Sequence, residues 1–203
     1  VSLVLVLAVT FGVSAQIDDG LEAVDDLLDD NDYEAAIVQL EQLEGQATTG
    51  AQRAEIYYRM SNAYLGIGDL KSDNEEPQEE ILSTFEEGES WADRAISADP
   101  SNPEGYYWKA ANIGRWGQTK GILDSLFKAG PMRDELEKAI SQDPDHADSY
   151  YVLGQLYAQV PGGIISFGNT DYAVSLGRYS VDLMEEELSS GDREEPNEDI
   201  YIQ

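Results

Sequence analysis

The stretch AISQDPDHADSYYVLGQLY, Ala139–Tyr157, nearly repeats an earlier one, AISADPSNPEGYYWKAANI, Ala95–Ile113. Ala95, Ile96, Ser97, Asp99, Pro100, Tyr106 and Tyr107 recur 44 residues later as Ala139, Ile140, Ser141, Asp143, Pro144, Tyr150 and Tyr151. So many identities in one register mark an internal repeat, and a repeat decides the fold before any single residue does. Each copy ends a helix, stops it with Pro, and starts another. Pro100 and Pro144 cannot continue a helix, while Pro103 suits a first turn.

Outward from these copies the same grammar holds. LEAVDDLLDD and YEAAIVQLEQLE carry Leu21, Val24, Leu27, Leu28, then Ala36, Ile37, Leu40 and Leu43 at helical spacing, with DND as a capped turn between them. AQRAEIYYRMSNAYLGIGD predicts a helix closed by Gly66 and Gly68, followed by a polar stretch, Lys71–Pro77. A helix over Gln78–Ala98, with a break near Gly88, precedes one from Pro103 to Trp116 capped by Asn102. Next come a short inserted helix, Thr119–Lys128, a helix from Pro131 to Ser141, and a helix His146–Gln159 capped by Asp145. VPGGIISFGN is a loop, Thr170–Glu187 a last long helix, and 189–203 an acidic tail. No stretch alternates as a strand does.

Charge and composition narrow the chemistry. Forty-one Asp and Glu against twelve Lys and Arg give a formal net charge of −29. That field repels nucleic-acid phosphate and anionic membrane surfaces and favours basic or neutral partners. There is no Cys and one His, so disulfides, thiolate catalysis, and Cys-based or multi-histidine metal sites are excluded. The opening, VSLVLVLAVTFGVSAQI, is free of charge and short for a membrane span of roughly 20 residues. It fits the apolar core of a secretory signal cleaved after Val13-Ser14-Ala15, although the usual Met and basic residues do not lead it. The expected organisation is a signal at 1–15, a helical domain at 16–188 and a tail at 189–203. The mature chain would be exported to the periplasm or cell envelope, with no span left after signal removal.

The repeated residues resemble the tetratricopeptide repeat. That family places Trp or Tyr, Leu-Gly and Tyr on a first helix, and Ala, an aromatic, Ala and Pro on a second. Here the pattern falls on Tyr150, Leu153-Gly154 and Tyr157 with Ala173, and on Tyr57, Met60-Ser61 and Tyr64 with Ala92, Ala95 and Pro100. The middle copy has Tyr106, Ala110 and Ile113 with Leu136, Ala139 and Pro144, and NDYEAAI opens the array. The resemblance implies an all-α fold, a right-handed α-solenoid of helical hairpins. Relative to the family's 34-residue period, about fifteen, ten and seven extra residues separate the helices of successive copies, implying enlarged intra-repeat loops. Lys109 stands where the family prefers Leu. The chain also looks like exported bacterial repeat proteins and, more weakly, the helical T-component of TRAP solute transporters.

In such a solenoid the first helices line a concave face. The resemblance puts there Tyr58, Asn62, Leu65 and Gly66, then Tyr107, Ala111, Gly114 and Arg115, then Tyr151, Gln155, Ala158 and Gln159. Tyr recurs at one inward position, as Tyr58, Tyr107 and Tyr151. These rings either form a ladder for an extended peptide, joining broad apolar contact to a polar tip, or pack against neighbouring helices. A basic clamp for an acidic C-terminal peptide, another use of this fold, is not expected, since only Arg115 is basic. VPGGIISFGN lacks the Gly-Lys-Ser/Thr of a phosphate loop, and the acidic runs lack the order of a calcium loop. His146 has no nucleophile partner, so neither an enzyme nor a cofactor is expected. The expected function is a protein-interaction scaffold holding an extended segment of a partner. A solute-binding accessory subunit and self-association are the alternatives.

Overall fold

The computed structural model describes residues 2–162, 167–191 and 193, with side chains placed from Gln16 onward except at 122 and 123. Eight helices follow in chain order: α1 (Ser2–Asp29), α2 (Tyr33–Glu44), α3 (Gly50–Asp73), α4 (Gln78–Ala98), α5 (Pro103–Lys120), α6 (Ile122–Gln142), α7 (Ala147–Gln159) and α8 (Thr170–Ser190). They pair as four successive hairpins, each packed on the next, and α5 also meets α3, the first helix of the preceding hairpin. This is an all-α, TPR-like helical solenoid. Among the described residues the only β pairing is an isolated bridge from Gly162 to Gly168 inside the α7–α8 loop.

Capping explains most helix starts. Asp32, Asn102 and Asn169 each accept a backbone N–H of the first turn, and Thr49 forms a reciprocal capping box with Gln52. The start of α7 differs from expectation: its cap is His146, not Asp145. The His146 imidazole Nδ1 accepts the Ser149 N–H at 3.2 Å.

Three glycines expected to end or break helices lie inside them. A Cβ on Gly66 would sit 2.6 Å from Cε2 of the Tyr33 ring, and one on Gly68 would sit 2.7 Å from Cδ1 of Phe85. These residues are bare so that α2 and α4 can lay aromatic rings against α3. Hence α3 runs on to Asp73, and Gly66 belongs to the packing rather than to the concave face. Gly88 is likewise interior to an unbroken α4.

The region after Trp116 is also rebuilt. α5 continues to Lys120, and the break falls at Gly121, whose φ of +122° is open to glycine. α6 then runs through Pro131, so Thr119–Lys128 is no separate inserted helix. Proline removes one hydrogen bond, to the carbonyl four residues back. That residue is Phe127, which is 82% exposed. The extra residues of the first two full copies thus lengthen helices, and only the third copy keeps a long loop between its helices.

The core falls into clusters spaced along the array. Ile17, Leu21, Val24 and Leu28 of α1 pack with Leu40, Leu43, Ile56 and Met60. Ala110, Leu136, Leu153, Leu156 and Leu176 form the second half. A buried polar clasp joins α3, α4 and α5. Ser61 Oγ donates to the Gly88 carbonyl at 2.8 Å, and Asn112 Nδ2 donates to Ser61 Oγ at 3.0 Å and to the Trp108 carbonyl at 2.9 Å. Lys109, odd at a position the repeat fills with Leu, reaches Asp93 at 2.8 Å and Glu135 at 3.4 Å, tying α4 and α6 to α5.

Candidate functional site

α3, α5 and α7 present their inward faces side by side. Asn62 from α3, Tyr107 and Arg115 from α5, and Tyr151 and Gln155 from α7 line one groove of about 560 Å³, with Asp148, Gln118 and Met132 completing its walls. Three consecutive repeats therefore contribute to one surface, as the helical register requires. Tyr58 stands apart from it. Its hydroxyl donates to Glu55 Oε2 at 3.0 Å, and the Arg59 guanidinium lies 4.6 Å above its ring. Leu65, Ala111 and Gly114 share the groove, while Ala158 and Gln159 lie outside it.

The three tyrosines occupy equivalent positions without forming a stack. Tyr107 packs edge-on against Trp108, with centroids 5.1 Å apart, and lies 5.3 Å from the His146 ring. Tyr151 packs against Ala147, Leu183 and Met184 at the end of the array. Burial pushes the Tyr58 and Tyr107 hydroxyls well above the ordinary tyrosine range, with nearby carboxylates adding to the effect. Both stay neutral and act as hydrogen-bonding, not charged, groups.

A regularity that composition and motif reading missed sits beneath the groove. Each inward Tyr follows an acidic residue by three positions: Glu55, Glu104 and Asp148. Each acid holds the point where the chain leaves the acid's own hairpin. Asn102, the cap of α5, donates to Glu55 Oε1 at 2.8 Å. His146, the cap of α7, meets Glu104 Oε1 at 3.0 Å. Arg193, just past α8, donates to Asp148 Oδ2 at 2.9 Å. Since Nδ1 of His146 accepts from Ser149, Nε2 carries the proton given to Glu104. Burial opposes charge on this imidazole, but the Glu104 carboxylate, with Asp148 and Asp143 near, outweighs it and holds the pKa above the ordinary histidine value. Glu104 Oε2 also accepts from Trp108 Nε1 at 3.0 Å. These acids hold adjacent repeats in register and so set the spacing of the groove's walls.

The electrostatics of the groove are mixed. Arg115 pairs with Asp69 at 3.1 Å and donates to Gln118 Oε1 at 3.4 Å, and Asp148 pairs with Arg193; the amides of Asn62 and Gln155 add donors and acceptors. Asp69 is raised above the usual carboxylate range, chiefly by burial, against the pull of Arg115. Among the described residues no cluster of three or more metal-ligating side chains occurs, and no helix is long and apolar enough to cross a membrane.

Comparison with known proteins follows the same lines. The model of the family Regulator of microtubule dynamics protein 1-3 matches residues 20–161. Regulator of microtubule dynamics protein 1 of Bos taurus is 26% identical over 139 residues, covering 68% of this chain and 41% of the relative. Regulator of microtubule dynamics protein 3 of Xenopus laevis is 28% identical over 101 residues, covering 50% of this chain and 21% of the relative. The chain thus spans less than half the length of these relatives. Among solved structures, a double mutant of MamA RS-1 superposes with a TM-score of 0.51 at 12% identity, covering 84% of this chain and 76% of that one. At that identity the likeness concerns the fold.

Proposed function

The chain belongs to the regulator of microtubule dynamics protein 1-3 family, and on that premise we propose that it is a non-catalytic scaffold binding an extended segment of a protein partner along its concave groove. One observation carries the reading: side chains from three successive repeats, Asn62, Tyr107, Arg115, Tyr151 and Gln155, meet on one continuous surface. An extended backbone needs partners spaced along its length, and amides and hydroxyls supply them. The net charge of −29 favours a basic or neutral segment. The names of the relatives make the machinery of microtubule dynamics the first place to seek that partner.

Residues 1–15 are proposed as an export signal. Cleavage before Gln16 would leave Ile17, Leu21, Val24 and Leu28, the α1 residues packed in the core, in place. Export and a partner among microtubule regulators put the chain on opposite sides of a membrane. Mass spectrometry of the protein from its source separates them, because intact Leu3–Val13 would refute the signal. The alternative reading, a solute-binding accessory subunit like the T-component of TRAP transporters, is supported by an apolar cavity of about 260 Å³ beside the groove.

The scaffold reading is tested by cross-linking the full chain in an extract of its source and identifying what it retains. Asn62→Ala, Arg115→Ala and Gln155→Ala, combined, should release the retained protein without lowering the thermal transition. These residues are preferable to Tyr58 and Tyr107, which are packed. Retention unchanged in the triple variant would refute the groove as the site.

A further inference from the structure

The cavity beside the groove has mostly apolar walls, with Ser125, Lys128 and three glutamines among its lining. Ile113 of α5, Leu126 and Ala129 of α6, and Leu156 and Val160 at the end of α7 enclose it. Two glycines of α5 line it and let α6 approach closely. Gly117 brings α6 so close that a Cβ there would stand 3.2 Å from Ser125 Cα, and a Cβ on Gly114 would stand 3.0 Å from Met132 Cε. Any larger residue at Gly114 would reach into the mouth.

That mouth opens on the groove itself. Gly114, Gln118, Met132, Val152 and Gln155 belong to the walls of both. The cavity is therefore a side pocket of the concave face rather than a separate site. From these shared walls we propose that it is an anchor socket, taking one bulky apolar side chain of the extended segment while the segment's backbone lies along the groove. The inference rests on the groove reading and names what that groove selects.

Size points to a side chain rather than a whole ligand. A cavity of roughly 150 Å³ suffices for a benzene ring, and sites for drug-sized molecules begin near 300 Å³. The socket, at about 260 Å³, lies between them and suits Phe, Trp, Leu or Met. Met132 at the mouth has a flexible thioether that adapts to any of these shapes. The amides of Gln118 and Gln155 stand at the rim, where the backbone of the inserted residue would need partners. Residues flanking the anchor would be basic or neutral, because the chain carries a net charge of −29.

The test is to pan a display library of random dodecapeptides on the full chain and measure the affinities of the selected peptides by fluorescence anisotropy. Selected sequences should share one large apolar residue among basic or neutral neighbours. Filling the socket by Ala129→Leu or, at its partly exposed wall, Val152→Phe should weaken them about tenfold to a hundredfold, with circular dichroism unchanged. Asn62→Ala with Arg115→Ala should weaken the same peptides. Peptides without an apolar anchor, or affinities unmoved by both filling variants, overturn the socket and leave the groove standing. Loss on filling with no effect of the Asn62 and Arg115 changes overturns the groove as the path of the backbone, and the inference with it. If no peptide is selected and indole binds instead, a whole apolar molecule is the occupant and the inference fails. If neither binds, both readings fail.

Discussion

Gly88→Ala should be among the most damaging single-methyl additions in this protein. Gly88 lies inside α4, where alanine normally gains about 1 kcal/mol over glycine. The added Cβ would instead stand 2.6 Å from Asn112 Cγ and 2.9 Å from its Nδ2. Asn112 Oδ1 is closer still, so the amide must retreat by more than the 0.8 Å that would relax Cγ from 2.6 Å to 3.4 Å. Asn112 is 1% exposed and its Nδ2 serves three acceptors, at 2.9, 3.0 and 3.3 Å. Its two N–H groups make two full bonds, one shared between the Ser61 acceptors, and a shift of that size strains or breaks both, each worth about 1 kcal/mol net, and adds overpacking of about 2 kcal/mol. After the helix-propensity gain, the expected loss is about 3 kcal/mol, or roughly 6–12 °C in a domain of this size. Urea and thermal denaturation followed by circular dichroism measure it. Gly177, inside α8 with nothing within 4 Å of its would-be Cβ, is the control, and Gly177→Ala should stabilise by about 0.5–1 kcal/mol. Combining Gly88→Ala with Asn112→Ala should cost less than the two single losses added, by about 1 kcal/mol or more. A neutral or stabilising Gly88→Ala, or strict additivity with Asn112→Ala, would refute the clasp.

The other predictions concern the acidic ties between repeats. Because the folded pKa of His146 lies above its unfolded value, the attraction between its positive charge and Glu104 contributes fully below about pH 6.5 and is lost as pH rises through the folded value, leaving the neutral Nε2–H bond. Denaturant midpoints from pH 6 to pH 8.5 should therefore fall more steeply for the wild type than for His146→Asn, which keeps a capping side chain; equal slopes would sink the pairing. Glu104→Ala removes the acceptor of both His146 and Trp108 and should cost about 2 kcal/mol, with Trp fluorescence reporting the change. Arg193→Ala breaks partly exposed pairs to Asp148 and Glu187, so its cost should stay within about 1 kcal/mol and shrink as salt is raised.

The repeat was legible because it is written in identities. Ala95 and Ala139, both at most 1% exposed, lie on the buried side of second helices. Glycine misled the reading of α3 and α4: a helix interior is a poor place for glycine by propensity, yet Gly66, Gly68 and Gly88 are there because a neighbouring side chain occupies their Cβ space. The propensity signal is local, whereas its cause sits on another helix. Pro131 misled for the opposite reason, since an exposed helix tolerates the lost bond.

Of the candidate groove, Asn62, Tyr107, Arg115, Tyr151 and Gln155 are the residues that the tetratricopeptide resemblance puts on the inward face, and helical register carries that face from one turn to the next. Register could not say that Tyr58 would turn to Glu55 and Arg59 instead. It also could not show that Glu55, Glu104 and Asp148 reach across 42 to 47 residues to hold the next junction. The sequence by itself determined the repeat, the run of helices that it implies, the N-terminal caps at Asp32 and Asn102, and an acidic composition. Only the tertiary structure decided the distances between the helical hairpins, and with them the clasp, the socket and the width of the groove, since these depend on side chains that meet from residues far apart in the chain.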